Sequence, residues 1–522
     1  MRLFALVLSA VYALPALFYP HGNDQSLHWY VAQGWLQGEL PFESAVSGKP
    51  IGIFAVHALA TVLFGPGQPA IRMLEVFTLF LCAGLLTDLF RGRGRSTHPG
   101  ELGIVAIVLF TIYYSYYDYW DGAHPEIWEA TALIAAAVVA IHDDRPARRA
   151  FAVGLLCGVA FMFKFPAAII ALPIAAYVGV RALFAQRAEG ARWPRPGPAL
   201  AALVKAAVLY LGGVFAVFAA CALPFVFGGA WGPMWEILYT YTSRYVDLAP
   251  PLLGTPPWLR LQTGVGALIA GGVGYAVGFA AYARRGDREA LLRGLFLFVL
   301  LLAALASVIL QRRYFSYHFI VAAPFLAAGV VFALRGLCGV RMGTATALAA
   351  AFMMAVFVSQ PRWCSNPNVS YLAHTENLAQ WLSGDATRNR YLRLFVGMNY
   401  LDHYSVMERI GLKIRGVAQP GDTLCARGFA PPIYQVSGLR CPSRHVIQAW
   451  PGLPEWESEF FRTIREQPPT FIVTFEDRPD EIRRLRRMGY RKTDLPGMFI
   501  LLTHKSAAER VTSQLAQRKG AK

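Results

Sequence analysis

Along the first two thirds of this chain, apolar runs of membrane-spanning length alternate with clusters of arginine. Runs of about 20 apolar residues satisfy their own backbone polar groups as helices, and arginines collect in the cytoplasmic loops between such helices. The pattern therefore restricts the chain to a polytopic helical bundle and also sets its direction of threading. Composition agrees: 55% of the 522 residues are hydrophobic and 16% are charged, with a mean hydropathy of +0.39. A pI near 9.7 suits a nucleic-acid partner in a soluble chain. Arginines divided among spanning runs build no continuous basic face, so no nucleic acid is expected.

The first run, about residues 3–20, follows a single Arg2 and reads as an uncleaved first span, because many spans come after it. It leaves the cytoplasm and delivers residues 21–68 outside. Within that loop Ile51 to Phe64 is too short to span and is expected as a juxtamembrane helix. Spans at 69–90, 101–117 and 127–142 then place Arg91, Arg93, Arg95, Arg145, Arg148 and Arg149 inside. Residues 150–184 form a hairpin whose external tip is Lys164-Phe165-Pro166, with Arg181, Arg187, Arg192 and Arg195 following inside. A span at 200–224 reaches a second external loop, and 260–283 returns to Arg284, Arg285, Arg288 and Arg293. Spans at 294–310, 318–334 and 343–360 complete a bundle of about eleven helices. Arg312 and Arg313 form the one basic cluster that this threading leaves outside. The expected location is the inner (plasma) membrane, with the N-terminus cytoplasmic and the C-terminus extracytoplasmic.

Beyond Pro361 the composition becomes that of a soluble α/β domain, expected over residues 361–506 with a basic tail at 507–522. TLCAR, TFIVTF and MFILLT read as short buried strands, and residues 395–411, 455–466 and 479–488 as helices. Cys364, Cys425 and Cys441 fall outside, where a disulfide can form, and Cys425 with Cys441 is the preferred pair. The other cysteines read as packing residues, and no Cys/His spacing suggests a metal.

Residues 21–50, HGNDQSLHWYVAQGWLQGELPFESAVSGKP, are too polar to enter a bilayer and too aromatic for a plain linker. Leu27, Tyr30, Val31 and Trp35 recur at helical spacing, opposed by Gln25, His28, Gln33 and Gln37. That pattern predicts a helix lying at the membrane interface. Asp24 is the first carboxylate of the chain and Lys49 its first lysine.

With these elements in order, residues 1–335 resemble the GT-C-type glycosyltransferases that use polyprenyl-phosphate sugars. In particular they resemble the bacterial relatives of protein O-mannosyltransferases and the aminoarabinose transferase of lipid A. That family has an acid in the first external loop, here within NDQSLHWYVAQGWLQGELPF. A Lys-Pro then opens a juxtamembrane helix, KPIGIFAVHALATVLFG, followed by Arg72. GLLCGVAFMFKFPAAIIALP, WEILYTYTSRYV and RRYFSYHFIVAAPFLA resemble three later family segments. Where the family often has Asp-Glu, this chain has Asp24-Gln25. The family's second acidic element is matched here by Asp118, Asp121 or Glu126.

The resemblance implies an inverting glycosyltransferase that moves a sugar from a polyprenyl-phosphate donor to an envelope glycan, lipid or protein. The transmembrane catalytic domain would be residues 1–360. A lipid-phosphate sugar is already activated, so the enzyme must supply a base for the acceptor and positive charge for the leaving phosphate. The sugar lipid is a co-substrate, and no other cofactor is implied. Asp24 is the expected base, with Glu126 and Asp121 as further catalytic carboxylates; the other reading of Asp24 is a helix N-cap, a place that Asn23 could equally take. Lys49 and Arg244 are the first expected phosphate ligands, with Arg313 and Lys164 behind them, and Arg312 and His124 as further substrate-binding residues.

Each has a plainer reading. Lys49 and Lys164 can anchor at the interface, Arg244 can stack on tyrosines, and Arg312-Arg313 can answer acidic headgroups. Glu126 can serve the dipole of its helix, His124 can be an ordinary loop histidine, and Arg72 with Glu75 a local salt bridge. The competing function is a transporter or flippase of an isoprenoid-linked or anionic substrate. Transporters commonly show internal repeats and mid-span charges, and neither is found here. A non-catalytic assembly or receptor subunit is the third reading.

Overall fold

A computed structural model describes residues 2–91, 100–185, 195–247, 265–339, 341–359, 370–396, 403–447, 454–475, 477–494 and 499–520. Cys364, Arg93, Arg95, Arg187 and Arg192 lie outside the described residues. The first half of the chain is helical: α1 (Arg2–Ala13), α2 (Asn23–Leu36), α3 (Gly52–Phe64), α4 (Pro69–Phe90) and α5 (Glu101–Tyr116). There follow α6 (Pro125–His142), α7 (Pro146–Phe161), α8 (Ala167–Phe184) and α9 (Pro196–Phe227). Several start with proline at their first turn, where its missing N–H costs no hydrogen bond.

A short broken stretch comes next, α10 (Trp231–Trp235), a π-helical turn (Glu236–Tyr241) and α11 (Thr242–Asp247). The remaining apolar helices are α12 (Val265–Arg285), α13 (Arg288–Gln311), α14 (Ala323–Cys338) and α15 (Met342–Ser359). A 3-10 segment, Ser316–Ala322, leads into α14.

Among the described residues seven helices are long and apolar enough to cross a membrane, or eight if α1 and α2 with their 81° bend count as one broken span. Gly52–Phe64, Glu101–Tyr116 and Gly343–Ser359 are apolar but shorter. Outward apolar faces such as Leu200, Val204, Val208, Leu211 and Phe215 on α9 are exposed, as lipid-facing surfaces are. At one end Arg335 pairs with Glu101 at 3.1 Å, and Arg293 donates to the Phe90 carbonyl at 3.0 Å. These contacts tie α4, α5, α13 and α14 together at the end rich in arginine.

After residue 370 come α16 (Tyr371–Leu382), α17 (Arg388–Leu392), α18 (Tyr404–Arg415), β1 (Leu424–Ala426) and α19 (Pro432–Ser437). Then follow α20 (Pro454–Glu466), β2 (Phe471–Phe475), α21 (Pro479–Arg487), β3 (Tyr490–Asp494), β4 (Phe499–His504) and α22 (Lys505–Gly520). The strands form one mixed sheet in the order β1-β2-β4-β3. β1 runs parallel to β2, and β4 is antiparallel to both of its neighbours. The buried runs LCA, FIVTF and FILLT predicted three of these strands, because strands covered on both faces are continuously apolar.

α2 is not an interfacial helix with a wet face. Gln25 and His28, expected on the polar side, are as buried as Leu27, Tyr30 and Val31. α2 is enclosed by α3, by the loop ahead of α6 and by the segment around α19. Its polar residues serve those partners: Asn23 donates to the Phe429 carbonyl and Ser26 to Gln435, while Gln25 reaches the loop ahead of α6.

Candidate active site

The 81° break after α1 aims the start of α2 into the bundle. Gly22 is its N-cap, with no side-chain capping bond. The capping reading of Asp24 therefore falls, and so does that of Asn23, whose amide is engaged elsewhere. Asp24 keeps 17% of its side chain exposed, and its charged neighbours are Lys49, Glu126 and Lys164.

Two backbone features bring those partners together. The Gly52 N–H donates to the Met162 carbonyl at 2.8 Å, and a Cβ on Gly52 would lie 2.6 Å from that same oxygen. Only glycine permits this approach. It sets the start of α3, and Lys49 just before it, against the hairpin tip that carries Lys164. The second feature is the loop Tyr117 to His124. Gln25 Nε2 donates to the carbonyls of Trp120 at 2.7 Å and Gly122 at 2.6 Å, with a longer contact to that of Tyr119. Buried Arg72 also donates to the Tyr119 carbonyl, at 2.7 Å, and pairs with Glu75 at 3.5 Å. Glu75 in turn accepts from Tyr113 and from the Ala123 N–H. Ala123 has φ +56, a conformation that a non-glycine residue holds only when its surroundings impose it. So the Arg72/Glu75 pair is more than a local helix contact, since it fixes the loop that delivers His124.

His124 stacks on Tyr317 with ring centres 4.0 Å apart, and its Nε2 lies 3.8 Å from Asp24 Oδ2. Burial first, then Lys49 and Lys164, hold this histidine well below the usual range, which keeps it neutral. Lys49 stands 5.1 Å and Lys164 5.8 Å from the centre of the same Tyr317 ring. Lys164 Nζ also lies 2.5 Å from Glu126 Oε1, and both groups are buried. Burial lowers the lysine, and Glu126 opposes that by favouring its charged form.

Asp121 is within the same loop but faces another partner. It accepts from Ser316 Oγ at 2.5 Å and from the Asp118 N–H at 3.1 Å. Burial pushes it up to about 7. Asp118 contacts His374 of α16 at 3.1 Å.

Of the expected phosphate ligands, Lys49 and Lys164 reach the Asp24 corner. Arg313 joins its edge, donating to the Tyr245 carbonyl at 2.6 Å with its guanidinium 4.1 Å from that ring. Tyr245 stacks on Tyr241, which closes against Gly48. Arg244, by contrast, pairs with Glu455 at 2.5 Å, both half exposed, and takes no part in the Tyr317 cluster. Arg312 takes the left-handed C-cap of α13 with φ +55. Tyr317, Glu129 and Gln25 were not among the expected site residues. Tyr317 stands in RRYFSYHF, where the arginines drew the reading; Glu129, one turn after Glu126, is a fully buried carboxylate beside Lys164. Among the described residues no group of His, Cys, Asp and Glu could hold a metal.

No protein-family model matches this sequence, and comparison with curated proteins returns no relative. Solved structures do match. ArnT from Cupriavidus metallidurans in the apo state is similar with a TM-score of 0.60 at 13% identity, covering 97% of this chain and 98% of that one. ArnT from the same organism bound to undecaprenyl phosphate is similar with a TM-score of 0.58 at 13% identity, covering 96% and 97%. The likeness is one of fold, and it is the GT-C-type fold that the ordered motifs implied.

Proposed function

We propose that this protein transfers a glycosyl group from a polyprenyl-phosphate donor to an envelope acceptor on the extracytoplasmic face of the inner membrane. The observation that carries the reading is the Asp24 corner: one partly exposed carboxylate beside Lys49, Lys164 and a neutral His124, all gathered on Tyr317. A carboxylate with a solvent-side opening can take the proton of an acceptor hydroxyl. Two lysines and Arg313 supply the charge that a departing lipid phosphate requires. A single base opposite the leaving group gives inversion at the anomeric carbon, by the geometry that governs glycosidases. The fold supports the donor class, since its neighbour ArnT was solved with undecaprenyl phosphate bound.

In this reading Asp24 is the base, and Lys49 and Lys164 meet the phosphate, with Arg313 at its margin. Glu126 holds Lys164 in place. The threading read from the arginines puts the sheet-bearing C-terminal segment outside.

The test is a comparison of lipid-linked and envelope glycans between cells with the protein and cells without it. It is followed by transfer assays with purified protein and polyprenyl-phosphate sugars. Loss of one modified glycan, restored by the wild type and not by Asp24→Asn, supports transfer. Flux of a lipid-linked substrate across proteoliposomes lacking any acceptor would favour a transporter instead.

A further inference from the structure

The helix that carries Asp24 rests on a segment from near the other end of the chain. Arg440 donates to the Tyr30 carbonyl of α2 at 2.8 Å, lies 3.8 Å from the Tyr30 ring centre, and pairs with Glu39. The Cys441 N–H donates to the Tyr30 hydroxyl at 2.9 Å, and the Val46 N–H donates to the Arg444 carbonyl at 2.8 Å. Residues 438–446 are therefore the seat of α2 and of the chain that follows it.

That seat is fixed to β1 in turn. The Leu424 N–H donates to the Arg440 carbonyl at 3.0 Å, the Ala426 N–H to the Tyr434 hydroxyl at 2.6 Å, and that hydroxyl to the Val446 carbonyl at 3.0 Å. Next to the first of these bonds, the sulfurs of Cys425 and Cys441 lie 2.8 Å apart. A disulfide requires the two side chains to face each other, as these two sulfurs do. Cys82 and Cys157, by contrast, are buried within α4 and α7.

We infer that Cys425 and Cys441 are a disulfide site, and that the bond locks the seat of the Asp24 helix. The inference rests on the extracytoplasmic placement proposed above, where thiols are oxidised. Each thiol gives up its proton, and the two sulfurs together pass two electrons to the disulfide of a thiol oxidant, which leaves as a dithiol. The cross-link closes the loop between β1 and the seat, so opening that loop no longer releases α2.

The experiment uses the full chain purified from cell envelopes, alkylated in denaturant before and after reduction, then digested with trypsin. The expected product is residues 416–427 joined to residues 441–444, lost on reduction. Alkylation of both thiols without reductant, or linkage of either to Cys364, overturns the site. Hydrogen exchange on folded protein tests the lock. Reduction should speed exchange about 10-fold or more in residues 24–46 and 438–446, and leave residues 265–338 unchanged. A variant with Cys425→Ser and Cys441→Ser should not respond to reductant. Unchanged exchange at 24–46 on reduction of the wild type overturns the lock, even if that variant fails to fold. A linked pair in a protein without transfer activity refutes the proposed function alone; free thiols in an active protein refute the disulfide alone.

Discussion

His124 Nε2 stands 3.8 Å from Asp24 Oδ2 while the imidazole stacks on Tyr317. A charged histidine there would neutralise the carboxylate; burial and two nearby lysines keep it neutral instead. Among the described residues no cation is bonded to Asp24, with Lys49 and Lys164 near it as charged neighbours, and its lone pairs can accept an incoming hydroxyl.

Asp24→Asn tests that role cleanly, because Gly22 and not Asp24 caps α2. Folding should survive. Turnover should fall about 10²–10⁴-fold, the usual loss for a positioned base, with donor affinity little changed. Single-turnover kinetics with a polyprenyl-phosphate sugar checks this, and near-normal turnover would move the base to Glu126 or Asp121.

The donor phosphate separates three cations, Lys49, Arg244 and Arg313, that sequence alone assigns to it. Lys49→Ala and Arg313→Ala should weaken donor binding as well as turnover, since their charges act in both ground and transition states. Arg244 is paired with Glu455 at the surface, so Arg244→Ala should change donor binding much less. Titration of the donor lipid against the three variants ranks them, and equal losses would restore Arg244 to the phosphate site.

Glu126 and Lys164 form a buried pair at 2.5 Å. Removing one partner breaks a buried ion pair and should cost up to roughly 3–5 kcal/mol, with Glu129 the carboxylate that stays beside Lys164 when Glu126 is lost. Glu126→Gln alone should therefore unfold at lower temperature than Glu126→Gln with Lys164→Met. The double variant should regain stability without regaining turnover. Recovery of both would make the pair purely structural.

Asp121 gives the pH dependence. Its folded value of about 7 exceeds the ordinary 3.8, so the folded state binds more protons than the unfolded one between these limits. Its contribution to stability is complete below about pH 4 and is lost as pH rises through about 7. Asp121→Asn should flatten this part of the profile. Unfolding in detergent from pH 4.5 to 8.5, wild type against variant, checks the sign.

Much of this arrangement could be read from the chain, for physical reasons. Spanning runs, arginine clusters and buried strand runs are local patterns, so the helical bundle and three strands were legible. Asp24, Lys49 and Lys164 were legible because charged groups beside apolar helices are costly and few. Tyr317 was not, since tyrosine is common near membrane surfaces and its centrality depends on three separate segments meeting. The pairing of Arg244 with Glu455 was not legible, because Glu455 is far along the chain and no spacing connects them. The polar side of α2 was assigned to water because periodicity records a polar face without saying what covers it.

Gln25 is where that last error matters most. Its amide donates to carbonyls of Trp120 and Gly122. Gln25→Glu would replace a donor with an acceptor that faces those oxygens. Leaving buried groups unpaired costs about 1–3 kcal/mol, and more when one is charged. The loop that Gln25 holds also delivers His124 to Asp24, so turnover should fall although Asp24 is untouched. Gln25→Met, close in size and without polar atoms, should be destabilised less than Gln25→Glu. Unfolding temperature and single-turnover rate for the two variants decide it, and a fully active Gln25→Glu would show that the loop is held without this amide.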